Sequence, residues 1–232
     1  MTLGEIYNLI ELIVNKDFSG NIITPVRFNE LIKVVNIDLF RQKYGLPEEY
    51  QPGKPIPSEY ADISLKNVDD MKAFKTLLLS QSVTNGVLPF PSNYAHADSL
   101  AYNYSKTINS IATSFPRIVE ILRESAFTAR EGNYTKQPTT MNPVAVIRND
   151  GIHIRPITIL AVDFSYYRFP IEPVFSYTEW DGGITYAPTT STEFEWTKDE
   201  HFTLTKMILS LIGVNLREAE LVQYAETKLK EG

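Results

Sequence analysis

The sequence predicts an α+β fold: a helical base built from N-terminal and C-terminal helix pairs, with a small antiparallel β domain inserted between them. Three observations carry this. Apolar residues recur at helical spacing at both ends of the chain. Two turn signals, Asn85-Gly86 and Asn149-Asp150-Gly151, sit between apolar runs in its middle. A proline-rich stretch separates the first helices from that middle. The implied divisions are 1–45 and 197–232 for a discontinuous base, 46–66 for an extended arm, and 67–196 for a β-rich insert with one helix.

At the N-terminus, Thr2 and Glu5 have capping-box spacing. Ile6, Leu9, Ile10 and Ile13 follow as a narrow apolar stripe. Thr24 caps a second helix with Pro25 in its first turn, where a missing N–H costs nothing. Phe28, Leu31, Ile32, Val35 and Leu39 line one face, and Gly45 and Pro47 end it. At the C-terminus, Thr197 and Glu200 repeat the capping-box spacing ahead of Leu204, Met207, Ile208, Leu211 and Ile212. Gly213 ends that helix, Asn215 caps another, and Leu221, Val222, Ala225 and Leu229 form its stripe. The two helix pairs are expected to pack together.

Between them, Leu46 to Ile63 holds Pro47, Pro52, Pro55 and Pro57. It reads as stiff extended chain, because proline fixes φ. It serves either as a loop on its own surface or as an arm to a neighbouring subunit. Phe74 to Leu79 and Val87 to Phe90 flank Asn85-Gly86 as one hairpin; Val144 to Arg148 and Ile152 to Pro156 flank the second signal. Ser99 to Ser110 and Ile157 to Phe169 alternate well enough for strands. Ile118, Ile121, Leu122 and Ala126 read as a short helix within Pro116 to Arg130. Phe175 to Thr192 reads as irregular, with a turn at Asp181-Gly182-Gly183.

The chain has 232 residues, no cysteine and a net charge of −6. That excludes disulfides and a thiolate metal site or nucleophile, and argues against gripping nucleic acid through phosphates. No signal peptide and no apolar run of about 20 residues is visible. Walker, dinucleotide, nucleophile-elbow and His-Glu-x-x-His motifs are missing. Asp199-Glu200-His201 offers metal-ligand types, but adjacent helical residues do not converge. Glu193 and Glu195 would share a face of an extended segment, as a glycosidase pair might; among 28 acids such a pair arises by chance. Tyr50, Tyr60, Tyr94, Tyr102, Tyr104, Tyr134, Tyr177 and Tyr186 fall in loops or strand ends, for half-buried packing or interface contact. No catalytic, cofactor or metal residue is therefore assigned, and the chain reads as non-enzymatic.

Several short motifs occur in a particular order. They are Leu3-Gly4-Glu5-Ile6-Tyr7-Asn8-Leu9-Ile10 with Asn15-Lys16, then Arg27-Phe28-Asn29, then Phe40 to Tyr44 leading into Gly45-Leu46-Pro47-Glu48-Glu49-Tyr50. Leu88 to Tyr94 and Tyr166-Tyr167-Arg168-Phe169-Pro170 with Pro173 follow, and then Phe194-Glu195-Trp196, Gly213 to Glu218 and Gln223-Tyr224-Ala225. In this order the chain resembles virion structural proteins of crAss-like and related phages of Bacteroidota, in particular the ring or adaptor proteins of the head-to-tail connector. The resemblance spans nearly the whole chain and is poorest from about Leu100 to Pro143. It implies a neck subunit in a ring, commonly of twelve copies, that docks to the portal and to other neck or tail proteins. Double-stranded DNA would pass through the ring without specific binding. The location would be the virion neck, and the host cytoplasm during assembly. Gln51, Pro52, Pro55, Ile56 and Tyr60 are then arm interface candidates. Arg168, Phe169 and Trp180 are β-domain candidates, and Glu193 and Trp196 would mark a joint between the β domain and the helices, though Trp196 is more simply a core anchor. The alternative is a monomeric virion-surface or adhesion-type binding module.

Overall fold

The computed structural model describes residues 1–16, 23–44, 69–108, 111–180 and 183–212. Its elements in chain order are α1 (Leu3–Lys16), α2 (Pro25–Tyr44), β1 (Lys75–Ser82), β2 (Val87–Leu88), β3 (Tyr94–Ile108) and β4 (Ile111–Leu122). After these come α3 (Glu124–Glu131), β5 (Val144–Arg148), β6 (Gly151–Arg155), β7 (Ala161–Arg168), β8 (Tyr177–Trp180), β9 (Gly183–Tyr186) and α4 (Glu200–Ile212). The chain divides into two units, Phe74–Phe169, and Met1–Ala73 with Pro170–Gly232. The proline-rich stretch and the last predicted helix lie outside the described residues.

In the first unit, side chains one residue apart go to opposite faces, which is the signature of strands. Seven strands form one sheet in the order β1-β7-β3-β4-β5-β6-β2. All pairs are antiparallel except β4 with β5, which run parallel. The two edge strands, β1 and β2, are consecutive in the chain and joined only by residues 83–86. Their ends must therefore meet, and the sheet curls into a nearly closed, barrel-like form. Val83, Leu88, Leu100, Tyr102, Val119, Ala145, Ile152, Ile154, Val162, Phe164 and Tyr166 fill its interior.

This overturns the expected helical base with a small antiparallel insert. The β part is a large mixed sheet, and the described chain is rich in strand. Two local readings misled. At Asn85-Gly86 both residues have positive φ, 53° and 78°, as a type I′ turn requires. Thr84 and Val87 exchange backbone hydrogen bonds across it at 3.0 and 2.9 Å. The turn is thus present, but the flanking strands part: β1 pairs with β7 and β2 with β6. The second hairpin forms as expected, from Val144 opposite Arg155 to Arg148 opposite Gly151.

The second misleading stretch is the helix read from Pro116. Residues up to Leu122 are strand, and only Glu124–Glu131 is helical. Ile118, Ile121 and Leu122 have helical spacing, yet here they face different ways. Ile121 packs on the barrel core, Leu122 packs under α3, and Ile118 is 80% exposed. Helix α3 belongs to the crossover that makes β5 parallel to β4. Phe127 anchors it on Val144 and Val146, with the Arg148 and Arg155 guanidinium groups 5.6 and 5.9 Å from its ring centre.

In the second unit the N-terminal caps hold. Thr2 N–H donates to the Glu5 carboxylate at 2.9 Å, and Glu5 N–H to Thr2 Oγ1 at 3.2 Å. The α1 stripe is rotated from the expected one: Leu3, Ile6, Tyr7, Ile10 and Val14 are buried, while Leu9 and Ile13 are half-buried. On α2, Asn36 and Phe40 join the buried face. Helix α4 packs on both α1 and α2. Phe175 stacks on Tyr7 and on Tyr186, 4.9 and 5.3 Å between centroids, and meets Phe28 edge-on at 5.2 Å. Asn29 holds it there, accepting from Phe175 N–H at 2.8 Å and donating to its carbonyl at 2.9 Å. The stretch read as irregular contains the β8–β9 hairpin, with Trp180 opposite Gly183.

Gly151 has φ +149°, and a Cβ there would lie 2.4 Å from the Leu88 carbonyl oxygen. Gly151→Ala is expected to lower unfolding free energy by about 1–3 kcal/mol. Gly132→Ala, at an ordinary helix end with the nearest atom at 3.5 Å, should change it by less than about 0.5 kcal/mol. Urea titration of both variants checks the contrast. A second expectation concerns Asn36, whose side chain accepts from the Trp196 indole at 2.8 Å and donates to the Ile171 carbonyl at 3.0 Å. Asn36→Leu should cost about 1–3 kcal/mol, because it leaves a buried indole N–H without an acceptor.

Candidate interaction surface

Strand β3 outruns its neighbours. Its pairing with β7 ends at Ala101, opposite Asp163, and the pairing of β4 with β5 begins only at Glu120. Beyond those points, among the described residues, β3 and β4 pair only with each other, from Tyr102 opposite Arg117 to Ile108 opposite Ile111, with no register shift. At about 3.4 Å per residue this ribbon is roughly 20 Å long. Two-stranded ribbons are marginal alone, and exposed edges invite pairing. Each ribbon edge carries a residue that discourages strand addition: Lys106 on β3, and Pro116, which has no N–H to donate, on β4.

Alternation sorts its side chains. Tyr102, Tyr104 and Lys106 share a face with their partners Arg117, Phe115 and Thr113. Asn103, Ser105, Ser114, Pro116 and Ile118 take the other. Aromatic residues interleaved with cations make the first face the better candidate for an interface. At its base Tyr102 is only 7% exposed. Neither its phenol oxygen nor Arg117 Nε has a hydrogen-bond partner among the described residues. Burial, with Tyr104 adding to it, pushes the Tyr102 phenol up; the Arg117 guanidinium and Thr140 act the other way. A buried donor left without an acceptor costs about 1–3 kcal/mol.

The sequence offered Tyr102 and Tyr104 only within a group of eight tyrosines, for packing or interface contact, and missed the ribbon and Arg117. The signal that could have found them is the run from 102 to 119, free of Asp and Glu in an acidic chain. The other candidates fall elsewhere. Gln51, Pro52, Pro55, Ile56 and Tyr60 lie outside the described residues. Arg168 ends β7, its guanidinium 5.9 Å from the Phe74 ring centre and 3.3 Å from the Phe169 carbonyl. Phe169 is half-exposed and donates its N–H to the Asn93 carbonyl at 3.0 Å. Trp180 is exposed on β8, in the helical unit rather than the barrel-like one.

Glu193 and Glu195 are engaged by different elements. Glu193 accepts the Leu3 N–H at 2.7 Å, at the start of α1, and also the Tyr186 hydroxyl. Glu195 accepts the Ile171 N–H at 2.8 Å. Glu200 does not reach back to cap its helix. It meets Lys43 at 2.7 Å, and Asp70 meets the same ammonium at 3.0 Å. Burial works against the charged Lys43, but hydrogen bonds to Glu200 and Asp70 hold its pKa above the usual value. His201 is buried, and its Nε2 donates to the Trp196 carbonyl at 3.2 Å. No cluster of metal-ligating side chains occurs among the described residues.

On the barrel-like unit Asp98 accepts from Ser165 Oγ at 2.8 Å and pairs with Lys75 at 2.9 Å. Partial burial pushes its carboxyl up, but Lys75 and Ser165 more than offset this and hold it below the ordinary value. No family model matches the chain, and no curated protein matches it either.

A carboxyl lowered in the folded state adds stability above its unfolded pKa, and loses it as pH falls through the folded value. Asp98→Asn is therefore expected to lower the urea midpoint at pH 7. It should also flatten the decline of the midpoint below about pH 4. A decline as steep as that of the unsubstituted chain would contradict this role.

Proposed function

We propose that this chain is a non-enzymatic, ring-forming structural subunit of a phage head-to-tail connector, joining portal to tail around the DNA channel. The observation that carries the reading is the β3–β4 ribbon. Only its base, Tyr102 with Tyr104, packs on the barrel core; beyond that neither edge is paired among the described residues, and the same face carries Phe115 and the cations Lys106 and Arg117. Such an element is understandable as a device for holding a neighbour. The motif order from Leu3 to Ala225 supports the choice of connector over other assemblies.

In this reading each subunit presents two different surfaces, because a cyclic assembly is built from heterologous contacts. The partners are further copies of the chain, in a ring of twelve, together with the portal and other neck or tail proteins. DNA passes without specific binding. A net charge of −6 suits that passage, since like charge limits sticking. The site of action is the virion neck, reached after assembly in the host cytoplasm.

Native mass spectrometry of the purified chain, alone and mixed with the portal, tests the proposal. A discrete ring mass, alone or on the portal, is expected. A chain that stays monomeric in both conditions overturns it and favours the adhesion-type binding module.

A further inference from the structure

We propose that the outer face of α2 pairs antiparallel with the α2 of a second copy of this chain, about a two-fold axis level with Val35 and Asn36. A two-fold contact is isologous, so it is not one of the head-to-tail contacts that close a ring. The pairing therefore goes beyond the ring reading and concerns the chain by itself in solution.

The first observation is a helix face left open. Helix α2 has 20 residues and is roughly 30 Å long. Phe28, Ile32, Val35, Asn36, Leu39 and Phe40 make up its buried side. Arg27, Glu30, Val34, Ile37 and Arg41 lie on the opposite side, and all are exposed. Val34 is 56% exposed and Ile37 40%. One exposed aliphatic side chain is ordinary. These two are three residues apart, so they are neighbours on the surface at the middle of the helix. Lys33 is tied to Glu172, but no salt bridge among the described residues uses Glu30 or Arg41.

The second observation is that this face complements itself in charge. In an antiparallel pair centred between Val35 and Asn36, Val34 meets the partner's Ile37. The same register sets Glu30 against the partner's Arg41. It also sets Arg27 against the partner's Tyr44, whose exposed ring stacks on Phe40 in its own helix. Each meeting occurs twice, so an apolar centre is flanked on both sides by an ion pair. Parallel pairing would set Glu30 on Glu30 and Arg41 on Arg41, which like charge opposes. Because both signs occur along the face, a second copy suits it better than a phosphate backbone, where affinity grows with each phosphate neutralised. A single helix pair is a small interface, so the association is expected to be weak, in the micromolar range.

Sedimentation equilibrium of the full-length chain, without the portal, tests the proposal. A monomer–dimer equilibrium is expected. Glu30→Lys alone and Arg41→Glu alone should each weaken it by about tenfold or more, since the two-fold axis makes each change count twice. An equimolar mixture of the two variants should associate again, and so should the chain carrying both changes. The thermal midpoint of the dilute monomer should not move, because both positions are exposed. A wild-type chain that is monomeric alone overturns the pairing, and a ring on the portal would still stand. Variants that associate like wild type, or a mixture that does not recover, also overturn it. A lower midpoint of the dilute variants would assign the face to the subunit's own packing, residues 213–232 included. Loss of portal binding with unchanged self-association would assign it to the portal. Either result overturns the pairing.

Discussion

The link between β1 and β2 is the constraint on which the barrel-like unit depends. These strands are the two edges of a seven-stranded sheet, yet the chain passes from one to the other through residues 83–86. A flat sheet would place its edges about 4.8 Å apart for every strand between them. The type I′ turn at Asn85 and Gly86 can join them only if the sheet curls round. Further hydrogen bonds hold the seam: Ile154 N–H to the Gly86 carbonyl at 2.7 Å, and Val83 N–H to the Leu160 carbonyl at 2.8 Å. Gly151 lies at the same seam, where the Leu88 carbonyl leaves no room for a Cβ. Curling also protects most of the sheet from edge-to-edge association, since only edges that find no partner remain a hazard.

The ribbon is where that protection stops. β3 and β4 continue past the last strand on either side, so among the described residues their outer backbone edges there stay unpaired. In an isolated protein this would be a defect. In the assembly proposed above, the same edges and face would be the means of contact. Elsewhere β1 carries a register shift between Leu78 and Gln81, with Ser80 N–H bonded to Asp163 at 2.7 Å. An irregular edge of that kind discourages strand addition, which contrasts with the regular register of the ribbon.

The polar residues of the helical unit act as positioners. Asn29 fixes the backbone at Phe175, Asn36 fixes Trp196 and Ile171, and Glu193 ties the start of α1 to Tyr186. Each joins segments more than 100 residues apart or closes an orphan group at a helix end. Their side chains are committed to backbone groups and to the Trp196 indole and Tyr186 hydroxyl, so the acidic pair Glu193 and Glu195 looks chemical in sequence but is engaged locally in structure.

Local signals were legible wherever a few neighbouring residues decide the outcome. The capping box at Thr2 and Glu5, the cap at Thr24, the turn at Asn85-Gly86 and the second hairpin are all set by backbone geometry over about four residues. Partner choice between distant strands is not, because an apolar alternation suits any neighbour. So the turn at Asn85-Gly86 was readable while the parting of its strands was not. Ile118, Ile121 and Leu122 fit either period, and only the sheet and Phe127 show which face each takes. Glu200 had capping spacing, but Lys43, 157 residues away, offers it a full charge instead of one amide. The ribbon's composition, aromatic and free of acids, was determined by the sequence alone. That it stands beyond its neighbours was decided by where β7 ends and β5 begins.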